Sequence, residues 1–338
     1  MRTTHILPTL VGAIAGLAGS ARAQFVPGRV YISEPPADLC GSFPGLPNDR
    51  IWEIDPQTGQ VSLFVELSDE LCGYLNGLAF TPDATGLRAS NFFTNSILQF
   101  DGSANASVAL NAADGINEPL GGNNIAYDAA SNFYVENAGS TNILRFPADG
   151  GPATVFADVF DGVTGAGPIA FAPNGDLYLG NELGQIWRVG PDGSSSLFDS
   201  FVGSSGVLAL TTDMAGNLFA LGTGGVYRYQ VGNPDSQQLI APFMNLSGQT
   251  SMTMSPNQDS VYFAAGIHLY EIDAVTGAVS LLATLPVEGP LAGSGIAVYV
   301  PEPAGLALIL CGILIVRRPR RSGVRPGVSN MPAPECAI

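Results

Sequence analysis

Residues 168 to 198 read PIAFAPNGDLYLGNELGQIWRVGPDGSSSLF. Four short apolar runs alternate here with segments rich in glycine, proline, asparagine and aspartate, a pattern that predicts four β-strands joined by tight turns. Asn174-Gly175 and Asp192-Gly193 are residue pairs chosen for turn conformation. The segment is therefore one unit of four strands.

The same unit recurs along the chain. The first strand of each copy carries a small residue between two large apolar neighbours. These small residues are Ala79, Ala126, Ala170, Ala209, Thr253 and Ala297. Their spacings of 47, 44, 39, 44 and 44 residues, with four strands per unit, are typical of β-propeller blades. A small residue suits an inner strand, because neighbouring blades approach each other closely near the axis.

The two ends of the repeat complement each other. After Ile296-Ala297-Val298 no second strand follows, since the chain runs into Pro301, whereas Arg29-Val30-Tyr31-Ile32 resembles a second strand without a first. We therefore predict an all-β fold over residues 25–300, a six-bladed β-propeller of four-stranded blades in which the C-terminal strand joins the N-terminal blade. Closure of this kind removes open sheet edges.

The predicted propeller is strongly acidic. Residues 25–300 contain six arginines, no lysine and 27 acidic residues, a net charge of −21, so nucleic acid and anionic membranes are not expected as partners. The third strands carry a set of polar residues for which we consider ion pairs between neighbouring blades or a solvated face. This set is Glu53, Gln99, Arg145, Arg188, Arg228 and Glu271.

The N-terminus has the features of a secretory signal peptide over residues 1–23. Arg2 precedes an apolar core at 6–18, and Ala21-Arg22-Ala23 forms a small-residue site for signal peptidase. The alternative is an uncleaved anchor helix, which the short apolar core disfavours.

Export changes how the cysteines are interpreted. Cys40 and Cys72 fall in loops expected on the same face of the propeller, where they form either a disulfide or two separate thiols. Cys311 and Cys336 lie outside the predicted propeller.

The C-terminus carries the most specific motif. Pro301-Glu302-Pro303 is followed by the uncharged, mostly apolar stretch 304–316. A cluster of basic residues then follows, Arg317, Arg318, Arg320 and Arg321. This arrangement resembles the PEP-CTERM sorting signal of bacteria, and we assign it residues 301–321.

The resemblance implies a precursor held transiently in the inner membrane until an exosortase-type enzyme processes it, and then a place at the cell surface or in the extracellular matrix. The physical features agree: basic residues favour the cytoplasmic side, and 13 apolar residues fall short of the roughly 20 that a comfortable span needs. The polar tail at 322–338, predicted to be disordered, departs from the family, whose members usually end soon after the arginines.

The blade sequence also resembles a family of propellers. Gly77–Asp83 and Pro173–Tyr178 are similar to six-bladed NHL-repeat and gluconolactonase-like propellers. The hydrolases among these bind a divalent metal, usually calcium, at the channel mouth through Glu, Asn and Asp side chains. The corresponding positions here are Asn76, Asn123, Gly167, Gly206, Thr250 and Ser294.

Only Asn76 matches a ligand of that family, and none of the six positions is a carboxylate. Amides and hydroxyls alone bind calcium poorly, so we predict neither a metal site nor catalytic residues. Nearby acidic residues could still reach the mouth from loops, namely Glu34, Glu118, Glu136, Glu182 and Glu288. The polar mouth residues are candidates for ligand binding: Asn76, Asn123, Thr250 and Ser294.

Three functions fit these features. The first is a non-catalytic binding or scaffold module of the cell envelope or exopolysaccharide matrix, with a polysaccharide or an exported protein as ligand. The alternative is a calcium-dependent lactonase. The third is a docking platform that uses loop or edge aromatic residues, namely Phe43, Phe92, Phe93 and Phe160.

Overall fold

The computed structural model describes residues 25–35, 48–116, 125–136, 142–159, 167–201, 206–222, 224–242, 250–287 and 295–301. These residues form six four-stranded antiparallel sheets, which confirms the predicted six-bladed propeller. A single turn of 3-10 helix, Ala112–Asp114, follows β7. The strands are β1 (Val30–Glu34), β2 (Arg50–Ile54), β3 (Val61–Glu66), β4 (Leu75–Phe80), β5 (Gly86–Asn91), β6 (Ser96–Asp101), β7 (Ala106–Leu110), β8 (Ile125–Tyr127), β9 (Phe133–Glu136), β10 (Asn142–Phe146), β11 (Thr154–Asp158), β12 (Ile169–Phe171), β13 (Leu177–Gly180), β14 (Gln185–Val189), β15 (Ser195–Ser200), β16 (Ala209–Thr212), β17 (Asn217–Gly222), β18 (Gly225–Gln230), β19 (Asn233–Pro242), β20 (Thr250–Met254), β21 (Ser260–Ala265), β22 (His268–Asp273), β23 (Val279–Thr284) and β24 (Ile296–Val298).

The inner strands close a ring. Strands β4, β8, β12, β16, β20 and β24 contact one another in cyclic order. The first blade consists of β24, β1, β2 and β3, and Ala297 of β24 lies opposite Tyr31 of β1. The C-terminal strand therefore completes the N-terminal blade, as predicted.

The small residue of each inner strand faces the following blade. Ala170 packs in a cluster with Leu210 of the next blade, and Ala297 packs with Leu75 and Leu78 of the blade that follows it. A larger side chain at these positions would push neighbouring sheets apart, because interiors are packed near crystal density.

The fifth blade corrects one detail of the predicted repeat. In the fourth blade Ala170 pairs with Tyr178, and in the fifth blade the equivalent pair is Thr211 with Phe219. Thr211 therefore holds the small-residue position, and our choice of Ala209 was wrong by two residues. The error arose because Ala209 also lies between two leucines. It lies two residues before Thr211 on the same strand, so both side chains point to the same face of the sheet and toward the same neighbouring blade.

Aromatic rings fill the space between blades beside these small residues. Five of the six described blades carry a buried aromatic residue on the second strand, directly opposite the small residue or its equivalent. These are Tyr31, Tyr134, Tyr178, Phe219 and Tyr262. The second blade instead carries Arg88, which pairs with Ala79.

Among the described residues, the charged third-strand residues form no ion pair between neighbouring blades. Arg188 lies 2.7 Å from Asp176 and Glu53 lies 3.7 Å from Arg29, both within one blade. Arg228 does reach the next blade, where its Nη1 donates to the main-chain oxygen of Ala274 at 3.0 Å.

The described residues all belong to a compact unit that ends at Pro301. None of the helical structure in this part of the chain is long and apolar enough to cross a membrane. The signal-cleavage residues Ala21 and Ala23 and the sorting motif beyond Pro301 lie outside the described residues, so both assignments stay predictions.

Candidate functional site

A small cavity lies between the inner strands at the propeller axis. Its volume is about 60 Å³. The side chains and backbone that line it are those of Gly77, Leu78, Ile125, Ile169, Ala209, Leu210 and Met252. These side chains supply hydrocarbon and one thioether, which are poor ligands for a hard cation and poor partners for a polar substrate.

Two of the predicted mouth residues are described, and both are buried. Asn76 in β4 is 4% exposed and Thr250, the first residue of β20, is 6% exposed. The main-chain oxygen of Asn76 accepts a hydrogen bond from Ser33 Oγ at 2.9 Å, which joins the first and second blades. Asn123 and Ser294 lie outside the described residues. The four residues stay predictions as ligand contacts.

The corrected register of the fifth blade moves its mouth position. Counting three residues back from Thr211 gives Leu208, so our assignment of Gly206 was wrong. Leu208 packs against the core shared by the fifth and sixth blades. The mouth position of the fifth blade therefore carries an apolar residue that packs between blades.

One carboxyl group stands beside the mouth. Glu136, the last residue of β9, is 1% exposed, and its Oε2 accepts the backbone N–H of Gly167 at 3.3 Å. Burial raises the pKa of Glu136 well above its usual value, because a low-dielectric site disfavours the charged form. The protein thus holds a carboxyl at a mouth position from a strand, where we had considered a loop.

A second buried carboxylate organises the connection into the second blade. Asp49 accepts backbone hydrogen bonds from Gly73 at 2.7 Å, Tyr74 at 2.9 Å and Leu75 at 2.8 Å. Burial raises the pKa of Asp49 to about 6 against the opposing effect of these donors. The bonds hold Tyr74 with φ of +73°, a conformation that a non-glycine residue adopts only when its surroundings impose it.

Cys72 lies in the same connection. It is 6% exposed, and its Sγ accepts the N–H of Asp49 at 3.4 Å. Cys40 lies outside the described residues, so the Cys40–Cys72 disulfide stays a prediction.

The predicted aromatic docking candidates are partly placed. Phe92 and Phe93 pack edge to face at 5.1 Å, and both contact the ring of Tyr74. Phe93 is 54% exposed. Phe43 and Phe160 lie outside the described residues.

Metal-binding side chains do not gather in this part of the chain. Among the described residues no group of three or more His, Cys, Asp or Glu side chains is placed to hold a metal ion. His268 Nδ1 lies 3.0 Å from the hydroxyl of Thr284 on the neighbouring strand. This is an ordinary contact between two polar side chains at the surface.

A larger concavity lies between the second and third blades. This inter-blade cleft has a volume of about 520 Å³, within the range of sites for small molecules. Its walls come from the β4–β5 loop around Asp83, the β10–β11 loop around Ala148 and the 3-10 turn at Asp114. Its floor includes Arg88 and Tyr127.

The guanidinium of Arg88 stacks on aromatic rings of the third blade. It lies 4.9 Å from the ring centre of Phe133 and 5.8 Å from that of Tyr127. Its Nε approaches Gln99 Oε1 at 3.4 Å. Sequence reasoning missed this residue, although a signal existed: GLRASN in β5 has arginine where the matching strands have an aromatic residue.

Comparisons with known proteins identify the fold and no family. No protein-family model matches the chain, and no curated protein matches it significantly.

Solved structures with the same fold are numerous. A chain from the crystal structure of a nidogen/laminin complex superposes with a TM-score of 0.64 at 14% identity, covering 81% of this chain and 100% of that one. A protein assigned as a gluconolactonase superposes with a TM-score of 0.53 at 15% identity, covering 65% of this chain and 80% of that one. The likeness at these identities shows an NHL- and gluconolactonase-like propeller fold, and fold alone does not carry function.

Proposed function

We propose that this protein is an exported, surface-sorted propeller that acts without catalysis as a binding or scaffold module of the cell envelope or exopolysaccharide matrix. The N-terminal segment 1–23 supports export. The PEP-CTERM-like segment 301–321 supports transient anchoring in the inner membrane and release by an exosortase-type enzyme.

One structural observation favours binding over chemistry. In the channel, where hydrolases of this fold type place their reaction, the described residues leave a cavity of only about 60 Å³. A concavity of about 520 Å³ lies instead between two blades. A cleft of that volume is within the range of sites that hold a small ligand. The nidogen-containing complex shows only that a chain with this fold occurs in a protein complex.

The proposal is tested by following the protein in the cells that make it. The intact mass of the exported form should place its first residue at Gln24 and its last near Pro301-Glu302-Pro303, with the protein in the surface or matrix fraction. Replacing residues 301–303 with alanine should leave a longer form in the inner membrane. Finding both versions uncleaved in the same fraction would contradict the sorting assignment.

A calcium-dependent lactonase is the second candidate. The structural likeness to a protein assigned as a gluconolactonase and the buried Glu136 beside Gly167 favour it. Hydrolysis of gluconolactone, measured with calcium and with chelator, tests it. A calcium-dependent turnover that Asn76→Ala and Glu136→Gln both abolish would establish this function in place of the first.

A further inference from the structure

The inter-blade cleft lies where one blade departs from the packing of the other five. In the fourth blade Tyr178 is fully buried against Phe198 at 5.1 Å. In the third blade Tyr134 packs in the same manner on Phe156 at 5.0 Å. Arg88 occupies the equivalent place in the second blade. It lines the cleft, whereas the aromatic residues of the other blades are buried.

Arg88 has no acidic partner within the described part of the chain. Three of the other arginines form ion pairs there: Arg29 with Asp55 at 3.0 Å, Arg50 with Glu66 at 2.9 Å, and Arg188 with Asp176 at 2.7 Å. For Arg88 the described contacts are the two rings, an interaction with the Tyr127 hydroxyl and the long Nε bond to Gln99. No described carboxylate neutralises this guanidinium, which lines the cleft.

The geometry of Arg88 selects a carboxylate. The rings beneath it fix the guanidinium plane, and a fixed fork of N–H groups binds a carboxylate through two parallel hydrogen bonds. The adjacent Tyr127 hydroxyl is buried beside the guanidinium and interacts with it. Burial raises the pKa of Tyr127 to about 12, so the hydroxyl stays protonated and adds no negative charge beside a bound carboxylate.

The rim of the cleft selects hydroxyl groups. Asp83 and Asp114 are exposed there and line the cleft. The hydrogen bond from Thr81 holds the pKa of Asp83 below its usual value, so this carboxylate stays ionised and its remaining lone pairs can accept from a ligand hydroxyl. These two carboxylates also repel a ligand with several negative charges.

We propose that the inter-blade cleft binds an acidic sugar, a polyhydroxylated ring with a single carboxylate. The carboxylate lies on Arg88 and the ring hydroxyls donate to Asp83 and Asp114 at the rim. This inference rests on the proposed binding function and specifies its ligand class.

The experiment is a ligand-observed NMR titration of the full chain with three probes: glucuronate, glucose and acetate. Glucuronate should bind at least about tenfold more tightly than either of the others, because only it supplies both the charge and the hydroxyls. Equal binding of glucose, or no binding of glucuronate, would overturn the proposal.

Variants separate the site from general charge effects. Arg88→Gln should weaken glucuronate binding about tenfold or more, whereas Arg50→Gln, which removes the same charge from an ion pair in the first blade, should leave it unchanged. Ala113→Trp, placed at the exposed edge of the cleft, should block binding with Arg88 intact. Unchanged binding by both Arg88→Gln and Ala113→Trp would contradict the assignment.

The experiments test the proposed ligand class and the proposed matrix function separately. If the exported protein sediments with the cell's own polysaccharide while glucuronate does not bind, the cleft assignment is wrong and the matrix role stands. If glucuronate binds but the protein never reaches the surface, the matrix role is wrong and the cleft stands.

Discussion

Tyr178 and Arg88 occupy equivalent places in two blades, so replacing each with alanine compares the two kinds of blade contact. Tyr178 is fully buried, packs edge to face on Phe198 at 5.1 Å, and accepts the N–H of Gly232 at 2.8 Å. Tyr178→Ala removes a large buried ring and should cost about 3–5 kcal/mol of unfolding free energy. Arg88→Ala loses a partly solvated cation–π contact and should cost about 1 kcal/mol or less.

The phenylalanine variant separates the hydrogen bond from the ring. Tyr178→Phe keeps the packing and should cost about 0.5–1.5 kcal/mol, at the low end because the exposed Gly232 N–H can turn to water. Equilibrium urea unfolding followed by tryptophan fluorescence measures all three variants. A cost for Arg88→Ala equal to that of Tyr178→Ala would refute the packing rule from which the cleft was inferred.

Three further predictions concern groups outside the cleft. Asp49→Ala should destabilise the protein by about 3 kcal/mol or more in urea unfolding, because three backbone N–H groups lose their acceptor; the exposed Asp69→Ala should have little effect. The raised pKa of Glu136 means that the folded state binds a proton more tightly than the unfolded state, so the free energy of unfolding should fall as pH rises above 4.5, the usual pKa of a glutamate. Glu136→Gln should flatten this decline and the exposed Glu70→Gln should not. Peptide mapping without reductant should recover Cys40 linked to Cys72, and finding both as thiols would exclude the disulfide.

The number of blades and the ring closure could be read from the sequence because both depend on local signals. Turn residues such as Asn174-Gly175 punctuate every copy, and the incomplete strands at Arg29–Ile32 and Ile296–Val298 complement each other. Hydrophobic periodicity and turn-forming residues extend over only a few positions, so both can be recognised without knowing the partner strand.

The cleft could not be predicted because it depends on register between strands. Arg88 becomes an exception only when Ala79 and Gln99 are known to lie opposite it. Period-2 alternation tells which face a residue occupies and leaves open which residue it meets. The lack of register information also produced the error of two residues at Ala209, where the sequence pattern disagrees with the observed pairing of the strands.

The buried carboxyls also required the structure. Glu136 and Asp49 belong to polar segments that read as loop edges in the sequence. Their burial follows from the closure of the ring and the connection between the first two blades, which bring main-chain N–H groups from distant positions onto them. Such non-local donors leave no local motif.

Whether this propeller binds or hydrolyses is decided best by a crystal structure of the protein grown with both calcium and glucuronate. We predict glucuronate between the second and third blades, with its carboxylate on the guanidinium of Arg88. A calcium ion at the channel mouth beside Asn76 and Glu136, with the sugar above it, would contradict this and establish the hydrolase.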